Sequence, residues 1–212
     1  MQTKSYDVIV CGGGPAGIAA AVAAARNGAK ALLIEKNAFV GGCAASGLPF
    51  LNFFNRNRVQ VIRGIGEELV QRMQAEQAAL PHILTSGGHV DSITMIDPEW
   101  VKICAEQMLL ECGCALLYDS VVCACRVENG RLCAITVANK AGLTQLEAKC
   151  FVDATGDADL VYFAGGQFAQ GRDGDHMTQA MSLVCRMANV DVEKVSSRFP
   201  LSPIVTTPLG AD

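Results

Sequence analysis

A chain of 212 residues has room for one large domain or two small ones and can bury a substantial core. Hydrophobic residues make up 50%, charged residues 18%, and the mean hydropathy is +0.28, which excludes a disordered chain. A net charge of −4 excludes the basic footprint of a generic nucleic-acid binder, and the apolar run Ala16–Ala25, stopped by Arg26, is too short to span a bilayer.

Tyr6–Cys11 is a β-branched run ending in glycines and predicts a buried strand. Pro15–Asn27 is Ala-rich with helical spacing, Gly28 closes it, and Ala31–Glu35 is a second apolar strand. These three form a βαβ unit, whose strands must be parallel with a right-handed crossover. Gly41–Asn57 reads as a long loop of the kind that often carries function, and Gly64–Ala79 as an amphipathic helix. At Asp97-Pro98-Glu99 a cap, a first-turn proline and an acidic first turn announce another helix, running to about Cys112 and ending at Gly113.

Ala115–Asp119 is the next predicted strand. Ser120–Glu128 and Arg131–Ala138 flank Asn129-Gly130, the sequence of a type I′ hairpin turn. A further strand, about Gln145–Phe151, leads into Val152–Asp157, where Asp157 is placed to cap a short helix ending near Gly165-Gly166. Beyond Gly166 the pattern loosens, and Pro200, Pro203 and Pro208 mark a stretch without a predicted closing element. The expected fold is therefore α/β. A Rossmann-like parallel sheet with an antiparallel meander inserted at about 120–150 fills residues 1–165, and residues 166–212 begin another segment.

Asp7 and the glycine cluster break up any signal-peptide pattern, so a cytoplasmic location is expected. Ten cysteines are present, but no C-x-x-C and no four-ligand metal spacing, so no metal is expected and reduced, structural thiols are. Cys123 and Cys125, two apart in a predicted strand, are expected to share one face.

Gly12-Gly13-Gly14-Pro15-Ala16-Gly17 is a G-x-G-x-x-G between the first strand and the first helix. Gly12 permits the tight turn, Gly14 clears space for a diphosphate against the backbone, and Gly17 allows close helix–strand packing. The helix N-terminus then offers free N–H groups and a partial positive charge. Glu35, 18 residues past Gly17, ends the second strand where a carboxylate accepts from a ribose hydroxyl and repels a 2′-phosphate. The site is therefore one for FAD or NAD, not NADP.

The run Tyr6–Gly17, then Glu35-Lys36, Gly41-Gly42 and Ser46-Gly47-Leu48, resembles the FAD-dependent oxidoreductases with a two-dinucleotide-binding-domain fold. Asp153-Ala154-Thr155-Gly156-Asp157 is similar to a segment of a bacterial and archaeal group distantly related to fumarate reductase flavoproteins. The resemblance covers about residues 5–190. It implies that Gly12, Gly14, Pro15, Ala16 and Gly17 cradle the FAD diphosphate while Glu35 holds the adenosine ribose with Lys36 beside it. It further implies that Gly42, Cys43 and Ser46 line the diphosphate, ribityl and flavin region. Val122 would meet the adenine through its backbone, and Ala154, Gly156 and Asp157 would pass close to the adenosine half.

Cys43 has no second cysteine in a C-x-x-x-x-C, so the dithiol chemistry of the related disulfide reductases is not expected. No histidine lies within residues 36–58, so FAD is expected to be non-covalent. Chains of the resembled family usually continue into a complete substrate domain and return to the flavin. Residues 166–212 are read as an incomplete substrate-domain segment, so part of the flavin site is expected from elsewhere, through a partner chain or self-association. The expected function is an FAD-dependent oxidoreductase acting on a small organic substrate, with no nucleic acid or membrane partner. A non-catalytic or split subunit and an NAD-linked dehydrogenase are the alternatives. His82, His89, Arg172, His176 and Arg186 are the candidates for substrate chemistry, and none is assigned a catalytic role.

Overall fold

The computed structural model describes residues 5–85, 90–184 and 187–198. Ser5–Cys11 (β1), Pro15–Arg26 (α1) and Ala31–Ile34 (β2) form the expected βαβ unit, with β1 and β2 parallel and Val8 opposite Ala31. Ile65–Ala75 (α2) and Pro98–Glu111 (α3) follow, separated by short strands described below. Ala115–Leu117 (β6) then pairs parallel to β2. Val121–Glu128 (β7) and Arg131–Asn139 (β8) form an antiparallel hairpin, and Gly142–Asp153 (β9) returns to pair parallel with β1. The sheet order is β6-β2-β1-β9-β8-β7. It is an α/β fold with a parallel core and an antiparallel meander hydrogen-bonded into the same sheet.

Both faces of β1 and β2 are covered, which is why these strands read as continuous apolar runs. Val10 and Leu33 pack under the helices with Ile18, Val22, Val101, Ala105 and Met108. Their neighbours Ile9, Cys11, Leu32 and Ile34 face the other way, onto Ile135, Val137 and Leu146 of the meander. The helix layer is laced at its surface by Arg26–Glu68, Arg72–Glu68 and Arg72–Glu111 ion pairs, joining α1, α2 and α3. The Arg26 guanidinium, opposed by partial burial and aided by Arg72, lowers the Glu68 carboxyl to about 2.

Local signals worked where the residue type dictated the geometry. Asp97 Oδ1 accepts from Glu99 N at 2.8 Å with Pro98 in the first helical position. Asn129 and Gly130 have φ of 51° and 75°, as a type I′ turn requires. Gly28, just past α1, has φ of 84°.

Several expectations need correction. The stretch 41–57 is not one loop: it holds a 3₁₀ turn, Gly42–Ser46, and the short strand Phe50–Leu51 (β3). With Ile83–Leu84 (β4) and Ser92–Thr94 (β5), β3 makes a second, antiparallel sheet in the order β3-β5-β4. Strands of two or three residues carry too few alternations to show a period. The predicted helix 64–79 ends at Ala75, because Gln77 turns left-handed (φ 57°) and Ala78 and Ala79 drop into the core.

Cys123 and Cys125 do not share a face. Val122 pairs with Val137 and Ala124 with Thr136, so Cys123 is an extra, bulged residue. Cys123 is exposed, whereas Cys125 packs on the meander core. Asp159–Phe163 (α4) begins after Ala158 and not at Asp157, and Val192–Arg198 (α5) was not predicted. Pro200, Pro203 and Pro208 lie outside the described residues.

Candidate functional site

The glycine motif sits in the turn between β1 and α1, and the protein's own packing accounts for two of its three glycines. A Cβ on Gly17 would stand 1.8 Å from Gly12 O, and one on Gly12 would stand 2.3 Å from Ala154 O. Gly12 also needs its positive φ of 104°. Gly14 is different. Its backbone is extended (φ −74°, ψ −177°), a conformation open to any residue, and a Cβ there would meet nothing within 4 Å. Nothing among the described residues explains a glycine at 14, whereas a group approaching from outside does. Gly14 caps α1 without a side chain, the first turn holds no acidic residue, and so the helix presents N–H groups and positive dipole to open space.

Glu35 follows β2 and is 5% exposed. Its Oε2 accepts from Gly13 N at 2.6 Å, and its Oε1 accepts from Asn37 N at 2.9 Å and Asn37 Nδ2 at 2.8 Å. The carboxylate thus braces the glycine turn from behind. Beside it opens a cleft lined by Gly12, Ile34, Lys36, Ser120, Val121, Val122, Thr155 and Asp159. Gly12, Lys36 and Val122, picked from three distant stretches of sequence, converge there. The bulge at Cys123 directly follows Val122 of this lining.

The β9–α4 junction forms the opposite wall. Ala154 N donates to Cys11 O at 2.8 Å, holding this segment against the end of β1. Asp153 Oδ1 accepts from Thr155 N (3.1 Å) and Thr155 Oγ1 (2.7 Å), and its Oδ2 accepts from Val161 N (2.9 Å). Burial alone would raise the Asp153 carboxyl, but these donors outweigh it and hold it below the usual range. Thr155 Oγ1 in turn accepts from Asp159 N at 3.0 Å. Asp153 and Thr155 therefore organise the start of α4, the role expected of Asp157. Asp157 itself is exposed, as is Gly156 with φ of 91°, and neither lines the cleft.

On the other side of the glycine turn, Gly41 N donates to Gly13 O at 2.8 Å, and a Cβ on Gly42 would stand 2.9 Å from Gly14 Cα. The 3₁₀ turn is thereby pressed against the head of α1. Ser46 Oγ donates to Cys43 O at 2.6 Å, closing the turn on itself. Exposed Pro15 and Ala16 complete the α1 first turn. Pro15 and Cys43 open onto an apolar cavity of about 400 Å³ walled by Ile18, Leu48, Phe50, Phe53, Ile65 and Leu69, among others.

The histidine candidates stand apart from the cleft. His82 is clasped between Thr94 Oγ1 (2.6 Å) and Glu67 Oε2 (3.0 Å) and stacks on Phe53, fastening the small sheet to α2. His176 is exposed, and its neighbour Asp175 is engaged by Arg172 at 2.7 Å, so the two flanking acids do not act as a pair on the imidazole. His89 and Arg186 lie outside the described residues. Among the described residues no group of three His, Cys, Asp or Glu is placed to hold a metal, and no helix is long and apolar enough to cross a membrane. Burial pushes the Cys11 thiol up to about 12 and Cys114 up to about 11, which keeps both protonated and unreactive.

Asn37, Ser120, Thr155 and Asp159 were missed by sequence reasoning. Asp153 and Thr155 stood inside a motif already noted, and their two-residue spacing is the sequence signal of such a turn. Nothing in the sequence marks Ser120 or Asn37.

The sequence pattern of FAD dependent oxidoreductases matches residues 7–205. The chain belongs to that family. Its cofactor is accordingly FAD, and the open face at Gly14 and the uncapped start of α1 are the features of this chain that suit a diphosphate. A tRNA uridine 5-carboxymethylaminomethyl modification enzyme from Geotalea uraniireducens is 26% identical over 201 residues, covering 93% of this chain and 32% of that protein. A thioredoxin reductase from Ureaplasma parvum is 37% identical over 133 residues, covering 62% of this chain and 38% of that one. A geranylgeranyl bacteriochlorophyll reductase-like protein from Thermoplasma acidophilum shares the fold with a TM-score of 0.54 at 20% identity, over 76% of this chain and 42% of that chain. The glycerol-3-phosphate dehydrogenase from Bacillus halodurans, complexed with FAD, does so with a TM-score of 0.52 at 17% identity, over 76% of this chain and 36% of that chain. The chain thus spans no more than 38% of either curated relative described.

Proposed function

We propose that this chain is the flavin-binding portion of an oxidoreductase that moves hydride or electrons to or from a small organic substrate. The adenosine lies in the cleft between Lys36, Val122 and Thr155, with its ribose toward Glu35. The diphosphate meets the backbone at Gly14, Pro15, Ala16 and Gly17, and the 3₁₀ turn carrying Gly42, Cys43 and Ser46 flanks the path toward the flavin. Ala154, Gly156 and Asp157 pass along the adenosine side. The flavin, bound without a covalent link, supplies the redox chemistry, and the protein supplies orientation and electrostatics. The observation that carries this reading is Gly14: its missing side chain answers to no contact among the described residues.

A second reading has the chain act as a subunit that needs a partner chain, or a second copy, to complete the flavin site. It is favoured by the exposed stretch 165–184, where Met181 and Leu183 are 97% and 95% exposed. A cytoplasmic setting fits the nine described cysteines, all of them free.

The absorbance spectrum of the purified chain tests both readings. Flavin bands released by heat are expected under the first, and a colourless protein that turns yellow only with a second polypeptide is expected under the second. Gly14→Val should abolish flavin binding under either, and an unchanged flavin content in that variant overturns the assignment.

A further inference from the structure

Glu35 is buried, and the described residues supply it with three hydrogen-bond donors and no cation. A carboxylate offers about four acceptor positions, two on each oxygen. Asn37 fills both positions on Oε1, through its backbone N at 2.9 Å and its Nδ2 at 2.8 Å. Gly13 N fills one on Oε2 at 2.6 Å. One position is left, on Oε2, beside the glycine turn. We propose that Asn37 is a positioning residue which, by occupying Oε1, restricts Glu35 to a single ribose hydroxyl received on Oε2. The inference rests on the reading that a dinucleotide occupies the cleft, and deepens it by fixing how the ribose is recognised.

The placement of Asn37 is itself well determined. Asn37 O accepts from Asp119 N at 3.2 Å, and Glu35 O accepts from Ser120 N at 3.1 Å. Both residues are thereby anchored to the β6–β7 junction whose next residues, Ser120 to Val122, line the cleft. The backbone bond from Asn37 N survives substitution, whereas the Nδ2 bond depends on the side chain. Removing Nδ2 vacates one acceptor position on Oε1 and makes a two-hydroxyl grip available to the carboxylate. Asn37 is exposed, so truncating it leaves the core untouched.

Calorimetric titration of the chain and of Asn37→Ala with ADP, 2′-deoxy-ADP and 3′-deoxy-ADP tests this. In the wild-type chain, loss of one hydroxyl should weaken binding about 10-fold and loss of the other less than about 2-fold. In Asn37→Ala, loss of either hydroxyl should weaken binding. A general loosening of the site would scale all three ligands alike, so the pattern separates positioning from support of the fold. Equal sensitivity to both hydroxyls in the wild-type chain overturns the proposal, as does a one-sided pattern that persists in Asn37→Ala. Should Asn37→Ala fail to fold, the wild-type pattern still decides. A wild-type chain that does not bind ADP sinks the placement of the adenosine in this cleft and this inference with it, whereas ADP binding with the wrong hydroxyl pattern sinks the role of Asn37 alone.

Discussion

The turn between β1 and α1 and the stretch 165–184 are built on opposite terms. In the first, backbone meets backbone at closest approach: Gly17 lies under Gly12 O, Gly12 under Ala154 O, and Gly42 against Gly14. In the second, every residue is exposed and large apolar side chains such as Phe168, Met181 and Leu183 face solvent. The first region carries its partners within some 150 residues of chain, so its geometry is over-determined. The second has its own polar turn, Arg172–Asp175, and nothing among the described residues that buries its apolar side chains. A substitution should be felt in proportion to that difference.

Gly17→Val should show the largest effect. The first added carbon already collides with a backbone oxygen, so helix and strand must part, and a loss of about 4 kcal/mol or more is expected. Far-UV circular dichroism and soluble yield would read it, and a folded Gly17→Val protein would break the comparison. Gly14→Val, three residues away, should lose flavin yet cost only about 1 kcal/mol in a thermal melt, the difference between glycine and valine at a helix N-cap. Leu33→Ala, in the fully buried β2, should cost about 3 kcal/mol, read as a lower midpoint in urea.

A smaller effect belongs to the helix surface. Glu68 titrates below its ordinary range because Arg26 and Arg72 hold its charged form. Its contribution is therefore complete above about pH 4.5 and fades as the pH falls toward 2. These side chains are 28–41% exposed, so solvent screening limits the contribution to about 1 kcal/mol. Glu68→Gln should lower the melting temperature at pH 7 by a few degrees and flatten its acid dependence, and an unchanged acid limb would refute the pairing. Smallest of all, Met181→Ser and Leu183→Ser should leave the melting temperature within error while reducing self-association measured by light scattering. A drop in stability there would show that the stretch is packed after all.

The parallel core was legible in the sequence because its signals are local and redundant. The apolar runs of β1 and β2, the Asp97-Pro98-Glu99 helix start and the Asn129-Gly130 turn each permit few conformations. The small sheet was not legible, since Phe50–Leu51, Ile83–Leu84 and Ser92–Thr94 are too short for a pattern, and Phe50–Leu51 finds its partner strand more than forty residues on. In the site, Gly12 and Val122, chosen for their backbone, came together at the cleft with Lys36, which the family resemblance had singled out. Side-chain hydrogen bonds to neighbours two positions away were missed: Asp157 was read as the cap that Asp153 and Thr155 supply, and Glu35 was singled out without its partner Asn37. Such short-range bonds depend on a turn geometry that the sequence permits without dictating. The bulge at Cys123 belongs to the same class: an extra residue has no signature in an otherwise regular alternation.

β9 serves two masters. Glu147 stands opposite Ser5 of β1 on one side and Ala134 of β8 on the other, so the parallel core and the meander share a single rail. The wall bearing Val122 cannot swing aside without unzipping ladder hydrogen bonds that run the length of that rail. With the adenosine in this cleft as proposed, nucleotide would enter past the solvent-facing rim where exposed Lys36 and Asp159 lie, and exchange rates should answer to these two opposite charges more than to any breathing of the sheet.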